Sequence, residues 1–249
     1  QLKALGYDGV EFAGFYGHSA QDVRAMLEEC GLRAVSSHVA LKLIEADMQG
    51  VIDYHKAIGC DYIAVPYLSA EQRPGTPAFA GVLRTIYQFG CLCRDNGIQL
   101  LYHNHDFEFV SFSGMYALDF LYAAMPEDVL KTEIDVCWVK YAGEDPAAYL
   151  RKYAGRAPVV HLKDFVGRKE GDAAPYGLLG QSETKAAGEV PFEFRPVGYG
   201  CQDVSAVAEA GLDAGAKWFV VEQDASVGRT PLEAAAMSID TLRKIGLKG

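Results

Sequence analysis

The chain has 249 residues, half of them apolar, with 33 acidic against 23 basic residues and a formal net charge of −10. Such a length and apolar share suffice for one large core, and α/β barrels of about 250 residues routinely form a single unit, so one domain over residues 1–249 is expected. The acidic balance argues against a nucleic-acid surface, which needs clustered Lys and Arg, and apolar runs such as Trp218–Val221 fall far short of the roughly 20 residues of a membrane helix; a cytoplasmic protein with neither partner is expected.

Along the chain, helical segments end at Gly and lead into short β-branched or aromatic runs, as a Gly C-cap before a buried parallel strand would. The chain opens on a helix-like Gln1-Leu2-Lys3-Ala4-Leu5, and Gly6-Tyr7 then precedes a strand at Gly9–Phe12. Ser19 with Asp22 reads as a capping box. Gly31 precedes a strand at 34–39, Gly59 one at 62–68 and Gly97 one at 99–107, with Thr76-Pro77 read as a helix start between them. Strands at 130–139 and 158–165 lack the preceding Gly, and Asp145-Pro146 opens a helix between them. The stretch 166–200, with Arg168, Lys169, Tyr176 and Arg195, is too long for an ordinary connection and reads as a lid or interface loop. Gly215 precedes the last strand, 218–223, and Thr230-Pro231 with Glu233 caps a final helix whose Leu232, Ala235, Ile239 and Leu242 share one face.

Alternating strands and helices imply a parallel sheet, closed into a barrel or open and doubly wound. Against the open form, no Gly-rich phosphate turn follows the early strands. Seven strands are read, so an eight-stranded barrel implies a first strand and part of its helix, about 20–25 residues, upstream of Gln1. The six cysteines (Cys30, Cys60, Cys91, Cys93, Cys137, Cys201) lie among apolar residues without metal or disulfide spacing and are expected as reduced core residues.

In a barrel, ionisable residues ending apolar strands converge on one mouth. Here Leu100-Leu101-Tyr102 runs into His103-Asn104-His105-Asp106-Phe107-Glu108; Thr132-Glu133-Ile134 into Asp135; Val159-Val160 into His161-Leu162-Lys163-Asp164; and Phe219-Val220-Val221 into Glu222-Gln223-Asp224. Together with Trp138, the Gly198-Tyr199-Gly200 turn and the helix at 231–238, this series resembles the sugar phosphate isomerase/epimerase family, the xylose-isomerase-like barrels that include inosose dehydratases and tagatose epimerases. The resemblance runs from Tyr7 to Ile245. It implies a (β/α)8 TIM barrel with one divalent ion held by Glu108, Asp135, His161 and Glu222. Many relatives carry the first ligand at the strand end itself, where this chain has Tyr102 or His103, so His103 or His105 stands as the alternative to Glu108.

Carboxylates with one imidazole suit a hard ion, Mn²⁺ before Mg²⁺, with Co²⁺ or Zn²⁺ also possible. The resemblance assigns proton transfer to Glu108 and Glu222, with Lys163 and His105 assisting, through a metal-stabilised enediolate of a sugar, keto-sugar or polyol. Glu11, His38, Tyr67, His103, Trp138 and Lys163 are the expected substrate contacts, and a homo-oligomer through the loop face is implied. Three other readings stand beside the isomerase or epimerase: a keto-inositol or keto-sugar dehydratase using the same ion, a non-catalytic sugar-binding barrel, and an endonuclease, which the acidic charge disfavours.

Overall fold

A computed structural model describes residues 1–167 and 192–247. Its strands are β1 (Gly9–Phe12), β2 (Arg33–Ser37), β3 (Tyr62–Val65), β4 (Gln99–His103), β5 (Ser111–Phe112), β6 (Met115–Tyr116), β7 (Lys131–Asp135), β8 (Val159–Leu162), β9 (Asp164–Val166), β10 (Glu193–Arg195) and β11 (Trp218–Val221). The helices are α1 (Leu2–Leu5), α2 (Ala20–Cys30), α3 (Leu41–Ala46), α4 (Met48–Ile58), α5 (Phe79–Asp95), α6 (Ala117–Ala123), α7 (Val136–Tyr141), α8 (Pro146–Lys152), α9 (Val204–Asp213) and α10 (Pro231–Lys244).

The seven expected strands are all present and pair in parallel. One sheet has the order β11-β8-β7-β4-β3, β1 pairs with β2, and a bridge between His38 and Ala64 joins the end of β2 to β3. Neighbours along the chain are therefore neighbours in space around one curved wall, which is barrel order; a doubly wound sheet would reverse direction partway. Among the described residues β1 and β11 do not pair, and a cleft of about 480 Å³ between them is lined by Gly9, Glu11, Trp218 and Val220, with Ile239 of α10 behind.

Period-two alternation divides each strand between two cores. Ile63, Leu100, Ile134 and Val160 pack outward against helical residues such as Ile52, Phe89 and Leu150. Ala64, Leu101 and Val159 point inward and, with Tyr62, Trp218 and Val220, fill the floor of the barrel. Polar side chains occupy the inward positions that follow. No helix among the described residues is long and apolar enough to cross a membrane.

Three predicted helix starts form as the capping chemistry requires: Ser19 and Asp22, and Thr230 and Glu233, exchange reciprocal side-chain bonds, and Asp145 accepts from the N–H groups of Ala147 and Ala148. The fourth does not. Helix α5 begins at Phe79, and the Thr76 hydroxyl donates to the Arg73 carbonyl instead of capping it. Every expected strand but the first also ends early, the two longest by four residues. Asp135 accepts from the N–H groups of Cys137 and Trp138, so the expected strand 130–139 becomes a helix at Val136; the Glu108 carboxylate accepts the His105 N–H, and the chain turns after His103. An apolar run by itself carries no sign of such a side-chain switch.

Further differences are small in extent. The antiparallel pairs β5–β6 and β9–β10 are too short to show alternation in the sequence. On α10 the buried residues are Ala234, Ser238, Ile239 and Leu242, while Leu232 is exposed. All six cysteines are free, but Cys30 and Cys201 are exposed rather than core. Of the segment expected as a lid, residues 168–191, with Arg168, Lys169 and Tyr176, lie outside the described residues, whereas Arg195 is in β10.

Candidate active site

Asp135 and His161 are register partners across β7 and β8, and the Glu222 N–H donates to Leu162, so three strand ends stand side by side at one height. His103 ends β4 next to them. The four side chains each present one ligand atom, all within 4.8 Å of one another. His103 Nε2 is 3.3 Å from Asp135 Oδ2 and 3.8 Å from Glu222 Oε2, and His161 Nδ1 is 3.1 Å from Glu222 Oε2. Asn104 clamps the two central strand ends: its Oδ1 accepts from Asp135 N–H and its Nδ2 donates to the Asp135 carbonyl.

These residues fit a divalent cation. His103 Nε2 and Asp135 Oδ2 are buried without a hydrogen-bond partner, although they lie 3.3 Å apart; buried polar atoms left so are rare unless another group completes them. Imidazole nitrogens and carboxylate oxygens are suitable donors for borderline and hard divalent ions alike.

Lys163 follows His161 on the inward side and is buried in a nest of carboxylates, 2.7 Å from Glu222 Oε2, 3.2 Å from Asp224 Oδ2 and 3.5 Å from Asp135 Oδ2. Its ammonium also lies over the rings of Trp138 and Phe194. Burial opposes its charge, but Glu222, Asp135 and Asp224 outweigh burial and hold the lysine well above its ordinary pKa. Burial likewise works to raise Glu222, yet Lys163, His103 and His161 keep its carboxyl well below the usual range. Asp224 moves the other way, raised by burial and by Glu222 against the pull of Lys163. A cavity of about 220 Å³ opens above these groups, lined by His38, Pro66, Tyr67, His103, His105, Lys163, Glu222 and Asp224.

The sequence-predicted residues divide clearly. Asp135, His161 and Glu222 meet, and His103 completes their group. Glu108 does not join them: it is buried in the turn after β4, accepting from the Tyr102 hydroxyl at 2.7 Å and from the His105 N–H at 2.9 Å. Burial pushes its carboxyl up to about 7, against those two hydrogen bonds. His105 lines the cavity, stacked on Phe107 and tilted over Trp138; burial, then His103 and Lys163, drive its pKa well below the ordinary value, so the ring is neutral. Trp138 is fully buried against Lys163 and His105 and is not among the residues that line the cavity. Tyr67 and His38 face the cavity, and Glu11 lies deeper, 3.1 Å from His38 and 2.8 Å from His161.

Two residues were missed. Glu133, buried inside β7, bonds His38 at 2.9 Å; the only signal was its position two residues before Asp135 on the same inward face. Asp224 binds Lys163, as the equal two-residue spacings of His161 to Lys163 and Glu222 to Asp224 on paired strands allow. Asp164 has a different task. Its carboxylate accepts the N–H groups of Phe165, Gly198, Gly200 and Gln202, which folds the Gly198-Tyr199-Gly200 turn around it; a Cβ at Gly200 would lie 2.2 Å from Asp164 Oδ1.

Comparison with known proteins agrees with this architecture. No curated protein matches the chain. Among solved structures, a sugar phosphate isomerase/epimerase from Parabacteroides distasonis superposes with a TM-score of 0.76 at 20% identity, over 97% of this chain and 85% of that one. The IolI protein with a binding zinc atom gives 0.71 at 15% identity over 98% and 91% of the two chains. A xylose isomerase-like TIM barrel protein from Mycobacterium smegmatis, in complex with magnesium, gives 0.69 at 17% identity over 98% and 85%. At such identities these structures speak for the fold alone. The family model for the xylose isomerase-like TIM barrel matches residues 1–245, and with seven parallel strands in barrel order and their polar ends gathered at one mouth, the chain belongs to that family.

Proposed function

We propose that this protein is a divalent-metal-dependent isomerase or epimerase that moves a proton beside the carbonyl of a small sugar, keto-sugar or polyol. The observation that carries the reading is the meeting of His103, Asp135, His161 and Glu222, drawn from four strand ends, next to a cavity of about 220 Å³. These four residues would hold the cation, with His103 in the place expected for Glu108. A set of two imidazoles and two carboxylates is softer than the three carboxylates first expected, which brings Zn²⁺ and Co²⁺ level with Mn²⁺ as candidates. When bound, such an ion polarises a substrate carbonyl and so acidifies the neighbouring C–H.

The chain's own groups supply the rest. Glu222, whose carboxyl is held well below the usual range and lines the cavity, is the group that would accept the proton. Lys163, cationic and 2.7 Å from Glu222 Oε2, holds it in position and offers its N–H groups to a developing oxyanion. Tyr67, His38 and His105 shape the walls, and Asp224 fixes the other side of the lysine. Glu108 has no part in proton transfer on this reading, because its carboxylate is committed to Tyr102 and His105. Loss of water from a β-hydroxyl is the second reading, favoured by two N–H donors, His38 and Lys163, that line the same cavity.

The test is incubation of a panel of ketoses and keto-polyols with the metal-loaded protein in deuterated water. Deuterium in an isomeric product supports the isomerase, an unsaturated product supports the dehydratase, and no exchange with any of them removes both.

A further inference from the structure

One layer deeper in the barrel, a second set of ligand atoms converges that the proposed reaction does not use. Glu133 lies two residues before Asp135 on the inward face of β7, and Glu11 reaches the same level from β1. Glu133 Oε2 is 2.9 Å from His38 Nε2 and 3.5 Å from His161 Nε2, and Glu11 Oε1 is 3.1 Å from His38 Nε2 and 2.8 Å from His161 Nε2. Nitrogen and oxygen alternate around a closed quadrilateral whose corners all lie within 4.8 Å of one another. Exposure of these side chains is 0% for Glu133 and His161, 8% for Glu11 and 12% for His38.

Directed hydrogen bonds account for only part of the arrangement. The His38–Glu133 contact has hydrogen-bond geometry, whereas His161 Nε2, 2.8 Å from Glu11 Oε1 and 3.5 Å from Glu133 Oε2, is paired with both carboxylates by charge but aims its N–H squarely at neither. Glu11 Oε2 and Glu133 Oε1 are buried and unpaired. Ligands of a tetrahedral ion behave in this way, since their lone pairs point at a common centre and not at each other. With metal–ligand bonds of about 2.0–2.1 Å, tetrahedral ligand atoms stand roughly 3.3–3.4 Å apart; the four edges here are 2.8, 2.9, 3.1 and 3.5 Å, so an ion at the centre would spread the first three by a few tenths of an ångström.

We propose that Glu11, His38, Glu133 and His161 bind a second divalent cation of the zinc class, below the cation at the mouth. The two ions share His161 through opposite ring nitrogens, Nε2 for the lower and Nδ1 for the upper, and with both bound the ring bridges them as an imidazolate whose proton has passed to solvent. The lower ion locks His38 and His161 from beneath and ties β1 and β2 to β7 and β8. The lower site rests on its own four atoms and not on the reaction proposed for the upper one.

The test is the zinc content of the whole chain, stripped with chelator and equilibrated by dialysis against a Zn²⁺ buffer, measured by mass spectrometry against protein concentration. Wild type is expected to hold two equivalents, Glu11→Gln and Glu133→Gln one each, and Asp135→Asn one. His38→Gln replaces either glutamate variant that does not fold. A single equivalent in wild type that Glu11→Gln and Glu133→Gln retain overturns the proposal, as do two equivalents retained when Glu11 and Glu133 are both replaced by Gln; a single equivalent lost in those variants and kept in Asp135→Asn would leave the lower site standing without the upper. Two equivalents in wild type and in Asp135→Asn, with one lost in Glu11→Gln, would remove the mouth ligand set and leave the lower site standing.

Discussion

Asp135 is the residue with the most at stake. It caps α7 through one carboxylate oxygen and presents the other to His103 and Lys163, at 3.3 and 3.5 Å. Asp135→Asn keeps a capping oxygen but loses the charge, so divalent affinity is expected to fall by about 100-fold or more, read by calorimetric titration. Glu222→Gln removes the group placed to take the proton, and turnover on any ketose that exchanges deuterium is expected to fall by about 10²–10⁴-fold while the fold stays intact by circular dichroism. Glu108 has another signature. Its carboxyl is raised from 4.5 to about 7 by burial, so the folded state holds that proton more tightly than the unfolded chain. Its stabilising contribution is complete below about pH 4.5 and is lost as pH rises through about 7. Denaturant unfolding should show wild type losing on the order of 3 kcal/mol more than Glu108→Gln between pH 4 and pH 8; parallel curves would mean that Glu108 has no raised pKa.

At this scale the sequence revealed Asp135, His161 and Glu222, because each interrupts an apolar run at a strand end. Glu108 and His103 were both on view, five and zero residues past the end of the strand, and nothing local chose between them. The choice came from the Tyr102 hydroxyl and the His105 N–H, which together hold the Glu108 carboxylate in the turn.

Among the elements, the caps were legible and their exceptions instructive. Ser19, Asp145 and Thr230 act within four residues of themselves, so their role is written locally. Thr76 sits in a turn ordered by Arg73, which stacks on Phe107 and donates to the Tyr67 hydroxyl, contacts with partners some residues away in the chain. Asp164 is the extreme case: it serves N–H groups of Gly198, Gly200 and Gln202, more than thirty residues on. Asp164→Ala would leave four N–H donors, that of Phe165 buried and the others partly so, without their acceptor, and a loss of about 2–3 kcal/mol in urea unfolding is expected. Thr230→Ala, which removes only a local cap, should cost about 1 kcal/mol in the same assay. If the two variants were equally stable, the turn would not depend on that carboxylate.

For the whole molecule, a cation bound only by the folded chain stabilises it by mass action. At a hundredfold excess over the dissociation constant this amounts to roughly 2.7 kcal/mol, or about 5–10 °C in a chain of this size, reversed by chelator. A melting temperature indifferent to Zn²⁺, Mn²⁺ and chelator would remove both cation sites together. The seven strands, their parallel alternation with helices and the end of the sheet that carries chemistry were determined by the sequence alone, since apolar runs, Gly C-caps and polar strand ends are local patterns; strand order and the division into inward and outward faces came with the folded sheet. Which atoms meet was decided by the tertiary structure. Alternation says that Glu133 and Asp135 share a face, but their partners, His38 and Glu11 in one layer and His103, His161 and Glu222 in the next, are set by how far each strand is shifted along its neighbour, and that shift exists only once the sheet has curved on itself.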